Sequence, residues 1–141
     1  MKGQLVNDLF NCLPLCALIA GKIFTTHGGI PRELQSFNEI AALKRPIEDI
    51  RKSELCRPNR GRGHFFGADA VAIFCKKFDL RLIVRAHQVV ENGYDYFANG
   101  SLVTVFTAPN YGRSNNSGAV MQIGEDLKIS FVVIAPSTSR Q

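Results

Sequence analysis

The pair Asn99-Gly100 restricts the fold of this chain most strongly, because an apolar, β-rich run lies on each side of it. Asn-Gly favours the tight turn that joins two antiparallel strands, so residues 94–98 and 102–107 are predicted to form a hairpin. A second hairpin is predicted from residues 119–123 and 128–134, which flank a short polar turn. The C-terminal part of the chain is therefore predicted to be an antiparallel array of strands.

The N-terminal part of the chain alternates helical and strand-like patterns instead. Apolar side chains recur at helical spacing in residues 4–13, 31–43 and 67–78. Residues 22–26 and 80–84 are short apolar runs typical of strands. These elements together predict a mixed α/β (α+β) fold, and 141 residues suffice for one domain with a core but not comfortably for two.

Composition and charge limit the classes of function. Hydrophobic residues make up 45% of the chain and charged residues 21%, which is typical of a globular protein rather than a disordered one. The net charge of +5 is concentrated in residues 44–62, where seven basic residues stand against three acidic ones. Such a segment could bind phosphate or could be only a solvated loop. No RNA-binding fold pattern accompanies the stretch from Arg57 to Arg62, so we expect no nucleic-acid partner.

The four cysteines show neither metal-site spacing nor the density of a disulfide scaffold. Their pattern predicts a reducing compartment, and we expect a cytoplasmic and/or nuclear protein. The apolar run from Leu13 to Ala20 faintly resembles a signal peptide, but Pro14 lies inside it. This run is also too short to cross a bilayer as a helix, so we expect no membrane association.

Two of the strand-like runs end in a histidine, at His27 and at His87. Loops at strand ends often carry active-site groups, because a rigid sheet positions them. Imidazole is a common ligand of first-row metals, and paired histidines suit Zn, Fe or Mn. The alternative interpretation of this pattern is a pair of structural, hydrogen-bonded histidines.

Two further residues lie in patterns that suit a phosphate site. Arg60 lies in Pro58-Asn-Arg-Gly-Arg-Gly63, where glycines let the backbone approach an anion and guanidinium offers two parallel donors. The alternative there is a flexible stretch that contacts RNA loosely. Tyr111 follows a strand directly in Ala108-Pro-Asn-Tyr111 and presents a phenol at a turn, although Pro and Asn also simply terminate strands.

Three strings, IFTTHGGI, LIVRAHQVVENGY and LVTVFTAPNY, resemble in order and spacing those of the PPP family of serine/threonine protein phosphatases. The stretch KKFDLRLIVRAHQVVENGYDYFA is more similar to the type-1 enzymes than to type 2A. The resemblance covers nearly the whole chain. It implies part of the metallophosphatase β-sandwich flanked by helices, with the N-terminal half of the fold missing.

The resemblance also implies a reaction, which is hydrolysis of phosphoserine and phosphothreonine in proteins at a site with two divalent metals (Mn, Fe or Zn). His27 and His87 match two ligands of the second metal, and Arg60 matches the arginine that binds the substrate phosphate. Tyr111 matches a tyrosine on the rim of the active site. Residues that match a hydrophobic groove for peptides of regulatory subunits are Ile23, Leu82, Tyr96, Leu127, Ile129 and Phe131.

The sequence departs from the family pattern in two places. The motifs GDxHG, GDxxDRG and GNHE, which supply the other metal ligands and the general-acid histidine in the family, do not occur in it. The WSDP segment is absent too, which indicates an internal deletion near residues 49–58. We therefore expect residues 1–141 to be the C-terminal portion of one catalytic domain, truncated and inactive alone. The alternative is a non-catalytic binding module that retains the peptide groove.

Overall fold

The computed structural model describes residues 2–46 and 65–137, which form three helices and seven strands. Arg60, the segment Arg57 to Arg62 and the deletion near 49–58 lie outside the described residues. The elements in chain order are α1 Lys2–Phe10, β1 Cys16–Ile19, β2 Ile23–Thr26, α2 Phe37–Ala41, α3 Ala68–Lys77, β3 Leu82–Arg85, β4 Tyr94–Phe97, β5 Leu102–Val105, β6 Gly118–Ile123 and β7 Ile129–Ile134.

Five strands form a central sheet in the order β1-β2-β3-β5-β4. Its three middle strands, β2, β3 and β5, run parallel, whereas β1 and β4 pair antiparallel with β2 and β5. Strands β6 and β7 form a separate antiparallel pair. The mixed α/β prediction is confirmed, as are both C-terminal hairpins. The prediction that the C-terminal strands form an antiparallel array was incomplete, because β5 also pairs with β3 in parallel.

The central sheet buries apolar side chains on both faces, because successive residues of a strand point to opposite sides. One face packs against the helices, where the Phe24 ring stacks on Phe37 and meets Phe74 at a tilt, at ring-centroid distances of 5.1 and 5.6 Å. This helix-side core contains Phe24, Leu34, Val71, Phe74, Leu80, Ile83 and Leu102. Each fully buried aliphatic or aromatic side chain contributes about 1.5–3 kcal/mol to folding.

The other face packs against the β6–β7 hairpin. Ile23, Leu82 and Val103 are buried there. Apolar residues of the second sheet and its turn cover them, namely Met121, Ile123, Leu127, Ile129 and Phe131. This hairpin-side core makes the molecule a three-layer structure of helices, sheet and hairpin, in agreement with the fold that the resemblance implied.

Tight turns join the neighbouring antiparallel strands. Between β4 and β5, Ala98 and Asn99 adopt positive φ values of 52° and 53°, which suit the Asn-Gly hairpin signal. Between β1 and β2, Ala20 and Gly21 do the same at 49° and 65°. The β1–β2 hairpin was not predicted, although its two apolar runs are broken at Gly21.

The helix predicted over residues 31–43 was too long. α2 spans only Phe37–Ala41 because Ser36 caps it, accepting a hydrogen bond from Asn38 N while the Glu39 side chain accepts one from Ser36 N. The residues before Ser36 instead fix the chain to α3. Leu34 is buried, and its carbonyl oxygen accepts a hydrogen bond of 2.8 Å from Lys77 Nζ.

The apolar side chains of α1 are exposed, in contrast with those of the two cores. They are Leu5, Val6, Leu9 and Phe10. The helix ends at Phe10 rather than Leu13, because Cys12 and Leu13 make tighter backbone bonds to residues three positions earlier. Among residues 2–46 and 65–137, no helix is long and apolar enough to cross a membrane.

Candidate metal centre and peptide groove

The two predicted histidines meet at the carboxyl ends of two neighbouring strands of the central sheet, β2 and β3. β2 and β3 pair in parallel with Thr25 opposite Val84, so both strands end at the same level. His27 Nε2 lies 3.0 Å from His87 Nδ1, and the ring planes are inclined by 76°. The Ala86 N–H also donates a hydrogen bond of 2.9 Å to the His27 carbonyl oxygen. The parallel register thus places side chains that are 60 positions apart in one contact.

The backbone at His87 forms a tight turn. His87 has a φ of 74°, and the Gln88 N–H donates a 2.9 Å hydrogen bond to the Ala86 carbonyl oxygen. A three-residue turn with a positive φ at its centre is the rare, strained form of the γ-turn. Arg85, the last residue of β3, contacts the same turn through its guanidinium group. Burial lowers the pKa of this guanidinium from its ordinary value.

An open cleft of about 480 Å³ adjoins this pair at the carboxyl ends of the parallel strands. His27 and Arg85 line it, and so does Thr107, which follows β5. Thr25 also lines it, and its hydroxyl contacts both backbone polar groups of Ala17. Ligands of open sheets with parallel strands commonly bind beyond these carboxyl ends.

Tyr111 lies in the loop after β5, and it is not among the residues that line the cleft. Its ring is exposed and packs edge-on against Phe106 at a centroid distance of 5.2 Å. Asn116 holds this loop in place. Its buried side chain accepts from Tyr111 N at 3.0 Å and donates to the Ala108 and Ser117 carbonyl oxygens at 2.9 and 2.8 Å. No sequence pattern indicated this role, because Asn116 lies in an ordinary polar loop.

The residues predicted for the peptide groove are also brought together. Five of the six line a cavity of about 170 Å³, namely Ile23, Leu82, Tyr96, Leu127 and Ile129. The sixth, Phe131, lies beside it and stacks on Tyr94 at a centroid distance of 3.9 Å. Arg81 and Gly100 line the same cavity and were not predicted. Lys128, between Leu127 and Ile129, is exposed and forms an ion pair of 2.7 Å with Asp126.

Comparison with known proteins settles the family. The model of the calcineurin-like phosphoesterases, a metallophosphatase family, matches residues 2–91. The chain belongs to this family. The matched part of the chain contains β1 to β3 together with His27, Arg85 and His87.

A solved structure agrees with this assignment. It is a protein serine/threonine phosphatase from Saccharomyces cerevisiae, described as similar to human phosphatase PP5. The match has a TM-score of 0.76 and 25% sequence identity, and it covers 94% of this chain and 50% of that one. The chain therefore spans about half the length of the structure it matches. The resemblance to PPP-family serine/threonine phosphatases is confirmed.

Members of the metallophosphatase family use divalent metals, so the fit of the site to a metal can be tested. Two nitrogens that each lie about 2.1 Å from one ion stand roughly 3.4 Å apart at the tetrahedral angle and roughly 3.0 Å apart at a right angle. The observed separation of His27 Nε2 and His87 Nδ1 is 3.0 Å, which fits two adjacent ligands of one ion at a right angle and equally fits a hydrogen bond between the two rings. Within residues 2–46 and 65–137, however, no group of three or more His, Cys, Asp or Glu side chains surrounds such a point. The described residues therefore fit part of one metal site.

Proposed function

We propose that this chain supplies two metal ligands, His27 and His87, of a serine/threonine protein phosphatase. We also propose that its 141 residues do not hydrolyse phosphoproteins on their own. The contact of 3.0 Å between the two imidazoles carries the proposal, because it joins the only residues of the family's metal set that the sequence retains. The metals implied are Mn, Fe or Zn.

The chemistry of such a site divides between the metal and the chain. A bound divalent metal activates water and neutralises phosphoryl oxygens during in-line displacement. The chain's part would be to present the lone pairs of His27 Nε2 and His87 Nδ1 to that ion. The ring protons then reside on the opposite nitrogens. Arg60 would bind the phosphate of a phosphoserine or phosphothreonine substrate, and Tyr111 would lie at the rim.

Calorimetric titration with Mn(II) or Co(II) tests the metal site. We expect one ion to bind the wild-type chain, and His27→Ala and His87→Ala each to abolish the binding, since a single imidazole is left. The chain offers a matched control in its third histidine. His64→Ala should bind as the wild type does, because His64 belongs to no metal motif. Equal binding by all three variants would disprove the assignment.

An activity assay tests the second half of the proposal. A phosphoseryl peptide should be hydrolysed no faster by the wild-type chain with Mn(II) than by the variant lacking both histidines. The physical reason is that two neutral imidazoles provide no carboxylate to bridge a pair of metals. Metal-dependent turnover that disappears in the double variant would show that the chain is a competent phosphatase.

A second candidate function is the binding of extended peptides from regulatory subunits. It is favoured by the cavity beside Leu82, Tyr96 and Ile129, which is small enough for single apolar side chains. It is also favoured by β7, which pairs only with β6 among the described strands and leaves an edge for strand addition. Since alternate side chains of a strand share one face, a peptide with Val or Ile two residues before Phe or Trp would fit.

Titration of a labelled peptide of this kind tests the groove. Tyr96 is 45% exposed and lines the cavity, whereas its neighbour Phe97 is 44% exposed and does not. Tyr96→Ala should weaken binding, and Phe97→Ala should leave it unchanged. The same loss in both variants, or no binding at high micromolar concentration, would leave the groove without this role.

A further inference from the structure

The backbone of His87 is strained at the very residue whose imidazole must be placed accurately in the proposed metal site. Residues other than glycine adopt positive φ uncommonly, and strained backbone persists only where the surroundings hold it. His87 has a φ of 74° at the centre of a γ-turn between Ala86 and Gln88. This turn directs the imidazole so that Nδ1 lies 3.0 Å from His27 Nε2.

The side chain of Arg85 spans this turn. Its Nη1 donates a 3.1 Å hydrogen bond to the Ala86 carbonyl oxygen, which also accepts from Gln88 N. Its Nη2 donates to Gln88 Oε1. One rigid, planar group therefore contacts the residue before His87 and the residue after it. We propose that Arg85 is a positioning residue that holds the strained turn and thereby aligns His87 Nδ1 for metal binding.

This proposal rests on the metal site proposed above, and two other roles for Arg85 give different expectations. If Arg85 acted only through its charge, it would repel a nearby cation, and its removal would strengthen metal binding. If it only bound substrate phosphate, its removal would leave metal binding unchanged. The structure favours neither, because two guanidinium nitrogens already donate to the turn. The third, Nε, is buried and has no acceptor among the described residues.

The test is metal affinity, measured by titration with Co(II) and followed by its visible absorption spectrum. Arg85→Ala should weaken Co(II) binding roughly ten- to hundredfold, which is the usual effect of removing a residue that orients a metal ligand without binding the metal itself. Arg85→Lys should weaken it similarly, because an ammonium group lacks the planar fork that bridges two acceptors. Arg32→Ala is the control, since it removes the same charge from an exposed position and should leave binding unchanged.

Stronger or unchanged binding by Arg85→Ala would overturn the proposal, and wild-type affinity in Arg85→Lys would overturn the role of the fork. If Arg85→Ala does not fold, Gln88→Met decides. This variant keeps the length of the side chain and removes the acceptor of Arg85 Nη2. Weaker Co(II) binding with an altered spectrum and an unchanged unfolding temperature supports positioning, whereas unchanged affinity contradicts it.

The metal-free chain separates failure of this inference from failure of the proposed function. If the wild type binds no metal, the proposed function fails, but the imidazole NMR spectrum still reports the contact between His27 and His87. That contact should persist in Arg32→Ala and be lost in Arg85→Ala and Gln88→Met. Its persistence in both of the latter variants would overturn the positioning role.

Discussion

Replacing Val103 by alanine tests whether the β6–β7 hairpin packs on the central sheet. Val103 is 0% exposed in the hairpin-side core, beside Ile23 and Leu82. The substitution removes two methyl-sized groups at about 0.8 kcal/mol each, or about 1.6 kcal/mol. A residual cavity adds roughly 24 cal/mol per Å³, which is about 1 kcal/mol for a void of about 40 Å³. We therefore expect a loss of about 2.5 kcal/mol in the free energy of unfolding.

Val133→Ala is the matched control, because Val133 is also a strand valine but is 51% exposed. It should cost about half of the transfer term, roughly 0.8 kcal/mol, without an enclosed cavity. The lower strand propensity of alanine affects both variants and largely cancels in the comparison. Urea unfolding followed by far-UV circular dichroism and tyrosine fluorescence measures both losses. Equal losses would refute the packing of the hairpin on the sheet.

Three further predictions concern turns and caps. Gly93→Ala should lower the free energy of unfolding by more than about 2 kcal/mol, because φ is 78° and a Cβ would lie 2.4 Å from the Gly118 carbonyl carbon. A smaller loss in urea unfolding would contradict the close approach of Gly93 to the Gly118 backbone. Ser36→Ala should cost about 1 kcal/mol by the same measurement, since the cap of α2 is removed, and no change would contradict the capping box. The side-chain hydrogen bond from Lys128 lowers the pKa of Asp126, so any stability it adds is present at neutral pH and declines as the pH falls through that lowered pKa. Lys128→Ala should raise this pKa toward its ordinary value in a carboxyl NMR titration, and an unchanged pKa would contradict the pairing.

Local patterns predicted the elements well where neighbouring residues decide the structure. The Asn99-Gly100 pair and its flanking runs gave the β4–β5 hairpin, because turn geometry depends on the turn residues themselves. The short polar turn between residues 119–123 and 128–134 likewise predicted the β6–β7 hairpin, in which the structure pairs Met121 with Phe131. The start of α2 was misplaced by six residues even though Ser36 and Glu39 carry a local signal, the capping box.

The site was predictable only in part, because its geometry depends on contacts between distant segments. The sequence marked His27 and His87 as strand-end residues, and the resemblance marked the groove. Neither could show that β2 and β3 pair directly, which is what brings the imidazoles together. The positive φ of His87 and the hydrogen bonds of Arg85 exist only in the folded chain. Asn116 was missed although its partners are local, because they are backbone groups whose positions depend on the folded loop.

The contact between His27 and His87 has a consequence for the thermodynamics of the whole chain. These residues are 60 positions apart, so a metal ion held by both would act as a reversible cross-link across a long loop. An ion that binds only the folded chain stabilises it by mass action, in proportion to the logarithm of its free concentration. The parallel pairing of β2 and β3 would then strengthen as metal is supplied and weaken under a chelator. The melting temperature of this chain would accordingly report the metal content of its surroundings.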